Sequence, residues 1–309
     1  TNILPVMGKR LTYVLSGCML LIMWAESGCT KQSLDHRKRE GHVHITLQWD
    51  KGYTPAGSRF YFYPEDGSEA IVRDCPKEGF SGTLPEGSYR VIVLNSDAWN
   101  IALRNEQQHQ TAEIYVLPEE EGLSAVPCIC QPGNLLLAGG INEADKLEVP
   151  YRDTVSVSAS PHSRVKKIRF FFKLENFVPV VLCSGTLSGV SSSIFCATGA
   201  CSDASANVRF AASPAEGEYD FSADVSVLDL ARPEEAGRTH LLDLTLQGED
   251  GTLYPVILDL TDTIARLIGE SGGTVPVEIP LDITLALIDN TLHASVRIWD
   301  MGGSGSGEL

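Results

Sequence analysis

Apolar side chains at every second position are the feature of this chain that most limits its fold. Val43, Ile45 and Leu47 alternate with polar neighbours near the start of the pattern, and Leu292 to Ile298 repeat the alternation near its end. A period of two sends one side-chain face into a core and the other into solvent, which is typical of half-buried β-strands. Asp66-Gly67 and Asp250-Gly251 supply turn signals between such runs. The pattern predicts an all-β protein built as β-sandwiches, with one short helix over residues 263–268.

The length of 309 residues favours two domains over one. Residues 118–145 break the alternation with glutamates, prolines and glycines, and we interpret them as a linker or excursion. We therefore place a domain boundary near Pro150. The prediction is an N-terminal β-sandwich over residues 42–150, a C-terminal β-sandwich over residues 151–300, and a flexible tail over residues 301–309.

The amino-terminal segment has the layout of an export signal. Lys9 and Arg10 precede an apolar stretch over residues 11–25, which ends in Ser27-Gly28-Cys29. A basic start, a short apolar run and then small residues are typical of a secretory signal peptide, and the run is short for a membrane span. We predict a lipoprotein signal peptide over residues 1–28 and attachment of lipid, including palmitate, to Cys29. Cys18, which follows Leu15-Ser16-Gly17, and a cleaved signal without lipid remain the alternatives.

The residues after Cys29 predict a tether to a membrane. Residues 30–41 are rich in charge and have no apolar period, so residues 29–41 are expected to be a solvated, lipidated linker. Several acyl chains on one cysteine hold a protein on a membrane far better than one chain does. The expected location is the outer membrane, through the lipid, with the folded part at the cell surface.

Charge excludes one class of partner. The chain has 24 basic and 40 acidic side chains, a formal net charge of -16. A protein this acidic repels phosphate backbones, so we expect no nucleic acid partner.

Catalytic and metal signals are weak. Residues 269–273 match the G-x-S-x-G pattern, but a predicted helix precedes them and a strand follows, the reverse of a nucleophile elbow. His42 and His44 share one strand face without further ligands nearby, and the acidic residues 119–121 lack the spacing of a calcium loop. We predict no enzyme activity, no catalytic residue, no metal and no cofactor.

Six cysteines remain once those of the signal and lipid site are set aside. Export to an oxidising compartment makes disulfides possible, and Cys196 and Cys201 flank a short loop that one could close. Six cysteines permit fifteen pairings, so the remaining connectivity stays open.

Several stretches together resemble one known family. They combine the lipobox, an opening strand that ends in Trp49-Asp50, an aromatic strand followed by Pro64-Glu65-Asp66-Gly67, and a closing strand. On these segments the chain resembles the FimB-like fimbrillin lipoproteins of Bacteroides-type fimbriae, including related domains of unknown function. The segments are residues 42–50, 60–67, 84–91, 184–190, 258–268 and 296–300.

The resemblance implies two tandem transthyretin-like β-sandwiches on a lipid-anchored outer-membrane protein. It implies a minor subunit of a surface fimbria that serves cell adhesion, as the anchor that joins the fibre to the membrane, with other fimbrial subunits as partners. Subunits of such a pilus join by strand complementation, in which backbone hydrogen bonds give strength and alternate side chains give selectivity. If this chain offers a donor strand, the candidate is residues 292–299, with Leu292, Ala294, Val296 and Ile298 alternating; otherwise the chain only accepts a strand.

Three alternatives remain open. The chain could be a surface lipoprotein that binds glycan or a host protein through sandwich loops, which clustered exposed aromatics would favour. Convergent carboxylates in a deep pocket would favour a hydrolase. A trypsin-like protease trims the amino-terminal segment of related stalk subunits, so Arg37-Lys38-Arg39 could be cut, although we favour an uncut tether.

Overall fold

The computed structural model describes seven stretches of the chain. They are residues 39–50, 52–119, 128–141, 146–230, 239–272, 274–289 and 291–298. From Glu40 onward these residues belong to one compact unit. Cys29 and the tail 301–309 lie outside the described residues, as does all but the end of the predicted tether.

Strands dominate the described residues, and one helix, α1 (Thr261–Glu270), accompanies them. The strands are β1 (Glu40–Leu47), β2 (Ser58–Pro64), β3 (Ile71–Cys75), β4 (Gly79–Pro85), β5 (Gly87–Asn95), β6 (Ile101–Arg104), β7 (Glu113–Val116), β8 (Cys128–Ile129), β9 (Leu136–Ala138), β10 (Leu147–Val149), β11 (Thr154–Ala159), β12 (His162–Ser163), β13 (Lys166–Glu175), β14 (Val180–Ser191), β15 (Ser193–Phe195), β16 (Ser205–Pro214), β17 (Phe221–Val227), β18 (Leu241–Gly248), β19 (Leu253–Asp259), β20 (Glu278–Ile288) and β21 (Thr291–Ile298).

The strands form four sheets. One has the order β11-β1-β4, a second β12-β9-β5-β2-β3 with β10 beside β5, and a third β15-β7-β6. The largest has the order β19-β18-β14-β16-β17-β13-β20-β21, with β8 beside β16. Side chains from both end strands of this largest sheet pack against the same core, so the sheet curves strongly on itself.

The sheet around β2 and β5 is buried on both faces. Phe60 and Phe62 point into a smaller core shared with β1 and β4, while Tyr61 and Tyr63 point into the larger core. Both phenylalanines and both tyrosines stack in pairs along β2, with ring centroids 5.7 Å and 6.4 Å apart. Because successive side chains alternate between faces, one aromatic strand serves two cores.

The all-β prediction is confirmed, whereas the tandem transthyretin-like sandwiches stay a prediction. Strands on either side of Pro150 share sheets: β1 pairs with β11, β9 with β12, β7 with β15, and β8 with β16. The predicted boundary at that residue likewise stays a prediction. β1 begins at Glu40, so the last two residues of the predicted tether already belong to a strand.

The interpretation of residues 118–145 as a linker was wrong for their described part. It contains β8 and β9, and Leu135, Leu136 and Leu137 are all buried. A strand buried on both faces shows no alternation, and three consecutive leucines carry no period-two signal.

Helix α1 is longer than the sequence predicted and begins at Thr261 rather than residue 263. Its N-cap is Leu260, which offers no side-chain cap, although the backbone N–H of Thr261 donates to Asp259 Oδ1 at 2.9 Å. Ile264, Leu267 and Ile268 bury one face of the helix in the larger core. No helix within the described stretches has the length and apolar character needed to cross a membrane.

Candidate assembly site

The predicted donor strand lies at an edge of the largest sheet. β21 pairs with β20 alone in the described structure, and most of its side chains are exposed. Leu292, Val296 and Ile298 are half-buried against the larger core, whereas Ala294 is exposed. Their role as a donor strand stays a prediction.

The register of the β20–β21 hairpin shows which backbone groups face outward. Ile288 pairs with Thr291 across a two-residue connection, which makes them a hydrogen-bonded pair. The ladder alternates along an antiparallel pair, so the N–H and C=O groups of Leu292, Ala294 and Val296 point away from β20. This outer edge contains no proline over Thr291–Ile298.

The opposite edge of the same sheet is protected. The backbone N–H of Gly248 donates to the carbonyl of Thr252 at 2.8 Å, so the outward-facing residues of β19 are Leu253, Pro255 and Ile257. Proline has no N–H to offer a further strand, and a proline on an edge strand is a common block to strand addition. The two edges of the sheet are therefore unequal, and β21 is the open one.

A groove runs beside the open edge, between α1 and the end of β21. It encloses about 690 Å³. Two prolines and the apolar side chains of Leu267, Val296 and Ile298 form part of its wall. Two arginines and two glutamates line the groove, so their formal charges balance and the groove has no strong net charge. Its polar and charged lining residues are Arg266, Glu270, Ser271, Glu278 and Arg297.

The outer face of β20 next to the open edge is also polar. Asp282, which pairs with Arg297 in the strand register, lies beside Tyr219. Burial and the hydrogen bond to Asp282 raise the pKa of Tyr219 to about 12, so the phenol stays protonated at neutral pH.

The remaining predicted site residues either form no functional site in the structure or lie outside the described residues. Cys29 lies outside them. Cys196 is buried and Cys201 half-buried, and no disulfide joins them in the structure, so their pairing stays a prediction. His42 and His44 are exposed on β1, where His44 Nε2 lies 3.4 Å from Thr46 Oγ1.

The G-x-S-x-G match does not form a nucleophile elbow. Gly269 and Glu270 end α1, and Ser271 caps the helix C-terminus and accepts a hydrogen bond from the Thr274 hydroxyl through its carbonyl. Among the residues that the structure describes, no group of three or more His, Cys, Asp or Glu side chains could hold a metal ion.

Two aromatic side chains stand out as exposed in the described structure. Trp99 is 59% exposed on the loop before β6, and Tyr151 is exposed on the turn before β11. They lie on two loops that are separate in sequence.

Comparison with known proteins agrees with this architecture. The family model described as a domain of unknown function, DUF5119, matches residues 28–211. A protein of Bacteroides ovatus named "Putative fimbrium anchoring subunit Fim4B" is 25% identical over 285 residues, 83% of each chain.

Two crystal structures share the fold. A "putative adhesin" from Bacteroides ovatus superposes with a TM-score of 0.59 at 20% identity, covering 82% of this chain and 93% of its own. The fimbrial anchor protein Mfa2 from Porphyromonas gingivalis gives a TM-score of 0.54 at 14% identity, covering 84% and 96%. The prediction of no enzyme activity agrees with these fimbrial and adhesin relatives. This chain belongs to the DUF5119 family and shares the fold of fimbrial anchor and adhesin proteins of Bacteroidales.

Proposed function

We propose that this protein is the lipid-anchored subunit that joins a surface fimbria to the outer membrane. Two features support the proposal. The similarity to a protein named as a fimbrium anchoring subunit extends over 83% of the chain, and β21 leaves an open sheet edge beside a groove. The open edge is the observation that carries the proposal, because strand addition needs a row of unpaired backbone groups.

The amino-terminal end of the fold suits attachment through Cys29. β1 starts at Glu40 and lies between β4 and β11, so a tether over residues 29–39 would enter directly at a central strand. A pull along the tether would load hydrogen bonds on both sides of β1. That arrangement suits a subunit that carries the force of a fibre.

We further propose that the basic run 37–39 stays uncut. The carbonyl of Glu40 accepts a hydrogen bond from the Arg152 N–H at 3.0 Å, and Glu40 pairs with Pro85 in the strand register. A protease that cuts after Arg39 needs Glu40 and its neighbours in an accessible extended chain, which this pairing opposes. Cleavage would also separate the fold from its lipid.

Paired proline substitutions test the open edge. In Ala294→Pro the lost N–H is one that points away from β20, so the hairpin keeps its own hydrogen bonds while the outer edge loses a donor. Ile257→Pro is the matched control, because it makes the same change on the edge that Pro255 already blocks. Both positions are exposed, and both variants are expected to fold.

The measurement is the amount of fimbrial subunit that co-purifies with the protein from solubilised outer membranes. Ala294→Pro should lower it at least about tenfold, since a lost hydrogen bond and an obstructing ring together exceed 1.4 kcal/mol. Ile257→Pro should leave it unchanged. If both variants retain equal amounts of fimbrial subunit, β21 is not the joining edge. If no fimbrial subunit co-purifies with the unaltered protein, the anchor role itself is wrong.

A further inference from the structure

A second cavity lies away from the open edge, between the loop after β9 and the segment that leads into β13. It encloses about 680 Å³, within the range of small-molecule sites. The lining residues are Leu137, Ala138, Gly139, Gly140, Ser160, His162 and Arg164.

Arg164 is the unusual member of this cavity. Its Nε atom is buried and has no hydrogen-bond partner, and among the described residues no carboxylate forms an ion pair with its guanidinium. Buried polar atoms are nearly always satisfied, so an orphaned guanidinium nitrogen at a cavity wall calls for an explanation.

An acid close to Arg164, Asp50, is already bonded to other donors. Burial acts to raise the pKa of Asp50, but the hydrogen bonds with Ser163 and His162 and, to a smaller extent, the nearby charge of Arg164 lower it. Asp50 Oδ1, however, lies 2.8 Å from His162 Nδ1, and Oδ2 accepts the backbone N–H of Ser163 at 2.8 Å. The bond to Asp50 also turns the other ring nitrogen of His162 away from that carboxylate.

The surroundings hold Arg164 and the cavity wall in place. The Arg164 backbone N–H donates to the carbonyl of Leu135 at 2.9 Å, and the guanidinium lies over Gly199, where an added Cβ would be 2.9 Å from Nη1. A Cβ on Gly139 would lie 2.6 Å from the Cys196 carbonyl oxygen, so this part of the wall packs tightly against the neighbouring chain. The cavity is therefore preformed.

We propose that this cavity binds an acidic sugar, with Arg164 holding the oxyanion and Ser160, His162 and the glycine backbone facing the hydroxyl groups. A guanidinium presents its donors as a rigid fork that matches a carboxylate or phosphate. The volume leaves room for a sugar ring beyond the oxyanion. This site is independent of the open edge at β21 and of the anchor role.

The test is an amide NMR titration of the purified chain with D-glucuronate, D-glucose 6-phosphate and D-glucose. Saturable shifts at the amides of residues 139, 140, 160 and 162–164 are expected with one or both acidic sugars. Glucose should bind at least about tenfold more weakly, because only the oxyanion engages the guanidinium. A response to glucuronate alone or to the phosphate alone identifies which oxyanion the site takes. The absence of saturable shifts up to roughly 50 mM, or equal binding of glucose, would overturn the proposal.

Variants connect the binding to Arg164. Arg164→Gln should weaken the acidic sugar at least about tenfold, and Arg164→Lys, which keeps the charge but loses the fork, should weaken it severalfold. Arg73→Gln is the matched control, since Arg73 is exposed and its guanidinium donates to the Val72 carbonyl. Thermal unfolding of each variant confirms that it folds. Unchanged binding by both Arg164 variants would overturn the assignment.

Discussion

Glu113 is the polar link that joins β6, β7 and β15, and removing its charge should cost measurable stability. The side chain is 5% exposed on β7. It accepts two hydrogen bonds from Arg104, at 2.6 Å and 2.7 Å, and one from the Ser193 hydroxyl. Arg104 belongs to β6 and Ser193 to β15, so one carboxylate ties together strands that lie far apart in sequence.

The expected cost of Glu113→Gln follows from these contacts. Hydrogen bonds to a charged partner contribute about 1.5–3 kcal/mol each, and neutral ones about 0.5–1.5 kcal/mol. The amide keeps the shape and can still accept from Arg104, whose side chain is half-exposed and can turn to water. We therefore expect a loss of about 2 kcal/mol in the free energy of unfolding at pH 7.

The stability that Glu113 contributes should also depend on pH. The hydrogen bonds from Arg104 lower the pKa of Glu113, burial opposes them, and Ser193 lowers it further. A lowered folded-state pKa means that the stabilisation is complete above the unfolded value of about 4.3 and is lost as the pH falls through the folded value. The difference between the variant and the unaltered protein should therefore shrink below about pH 4.

Urea unfolding followed by circular dichroism at pH 7 and at lower pH measures both effects. Glu148→Gln is the matched control, because Glu148 is exposed on β10 and accepts one hydrogen bond from Ser88. It should change stability by about 0.5 kcal/mol or less. A loss from Glu113→Gln that is equally small, or one that does not depend on pH, would refute this account of the buried carboxylate.

Two further predictions concern the cores. Gly79→Ala should lower the free energy of unfolding by at least about 4 kcal/mol or prevent folding, because its φ is +132° and the new Cβ would lie 1.9 Å from the Ile45 carbonyl oxygen. Gly67→Ala, at φ +81° with open space around it, should lower the free energy of unfolding by only about 1–2 kcal/mol. Thermal or urea unfolding measures both. Burial raises the pKa of the Cys183 and Cys196 thiols to about 12, so iodoacetamide should alkylate them at least about a hundredfold more slowly in the folded protein than in urea, as peptide mass spectrometry would detect. Similar costs for the two glycines, or fast labelling of the folded protein, would contradict the packing described.

The sequence predicted strands best where one face meets solvent. β1 and β21 place apolar side chains inward at alternating positions beside exposed neighbours, and this period of two is visible in the sequence. β9 was missed because its leucines are buried without alternation, and β4 because its glycines and Pro85 resemble turn signals. In both cases burial comes from long-range pairing that local pattern does not encode.

The candidate assembly site shows the same division. The alternation of Leu292, Val296 and Ile298 was visible in the sequence, and so was the proline on β19. Which strands become edges depends on the order of the whole sheet, and that order joins β13 to β20 in parallel over a long stretch of intervening chain. The sequence therefore predicted an amphipathic strand over residues 292–298. That this strand lies at an open edge, and β19 at a blocked one, could be seen only in the three-dimensional fold.

Fibre retention in cells that carry single cysteine substitutions tests the anchor role most directly. Cys29→Ala removes the proposed lipid site, and Cys18→Ala is the matched control at the alternative lipobox. The measurement is the fraction of fimbrial subunit that remains on the cells rather than in the medium. The account predicts that Cys29→Ala releases most of the fibre into the medium while Cys18→Ala retains it. Fibres that stay on the cells with Cys29→Ala would contradict the proposal that this protein holds them to the membrane through that residue.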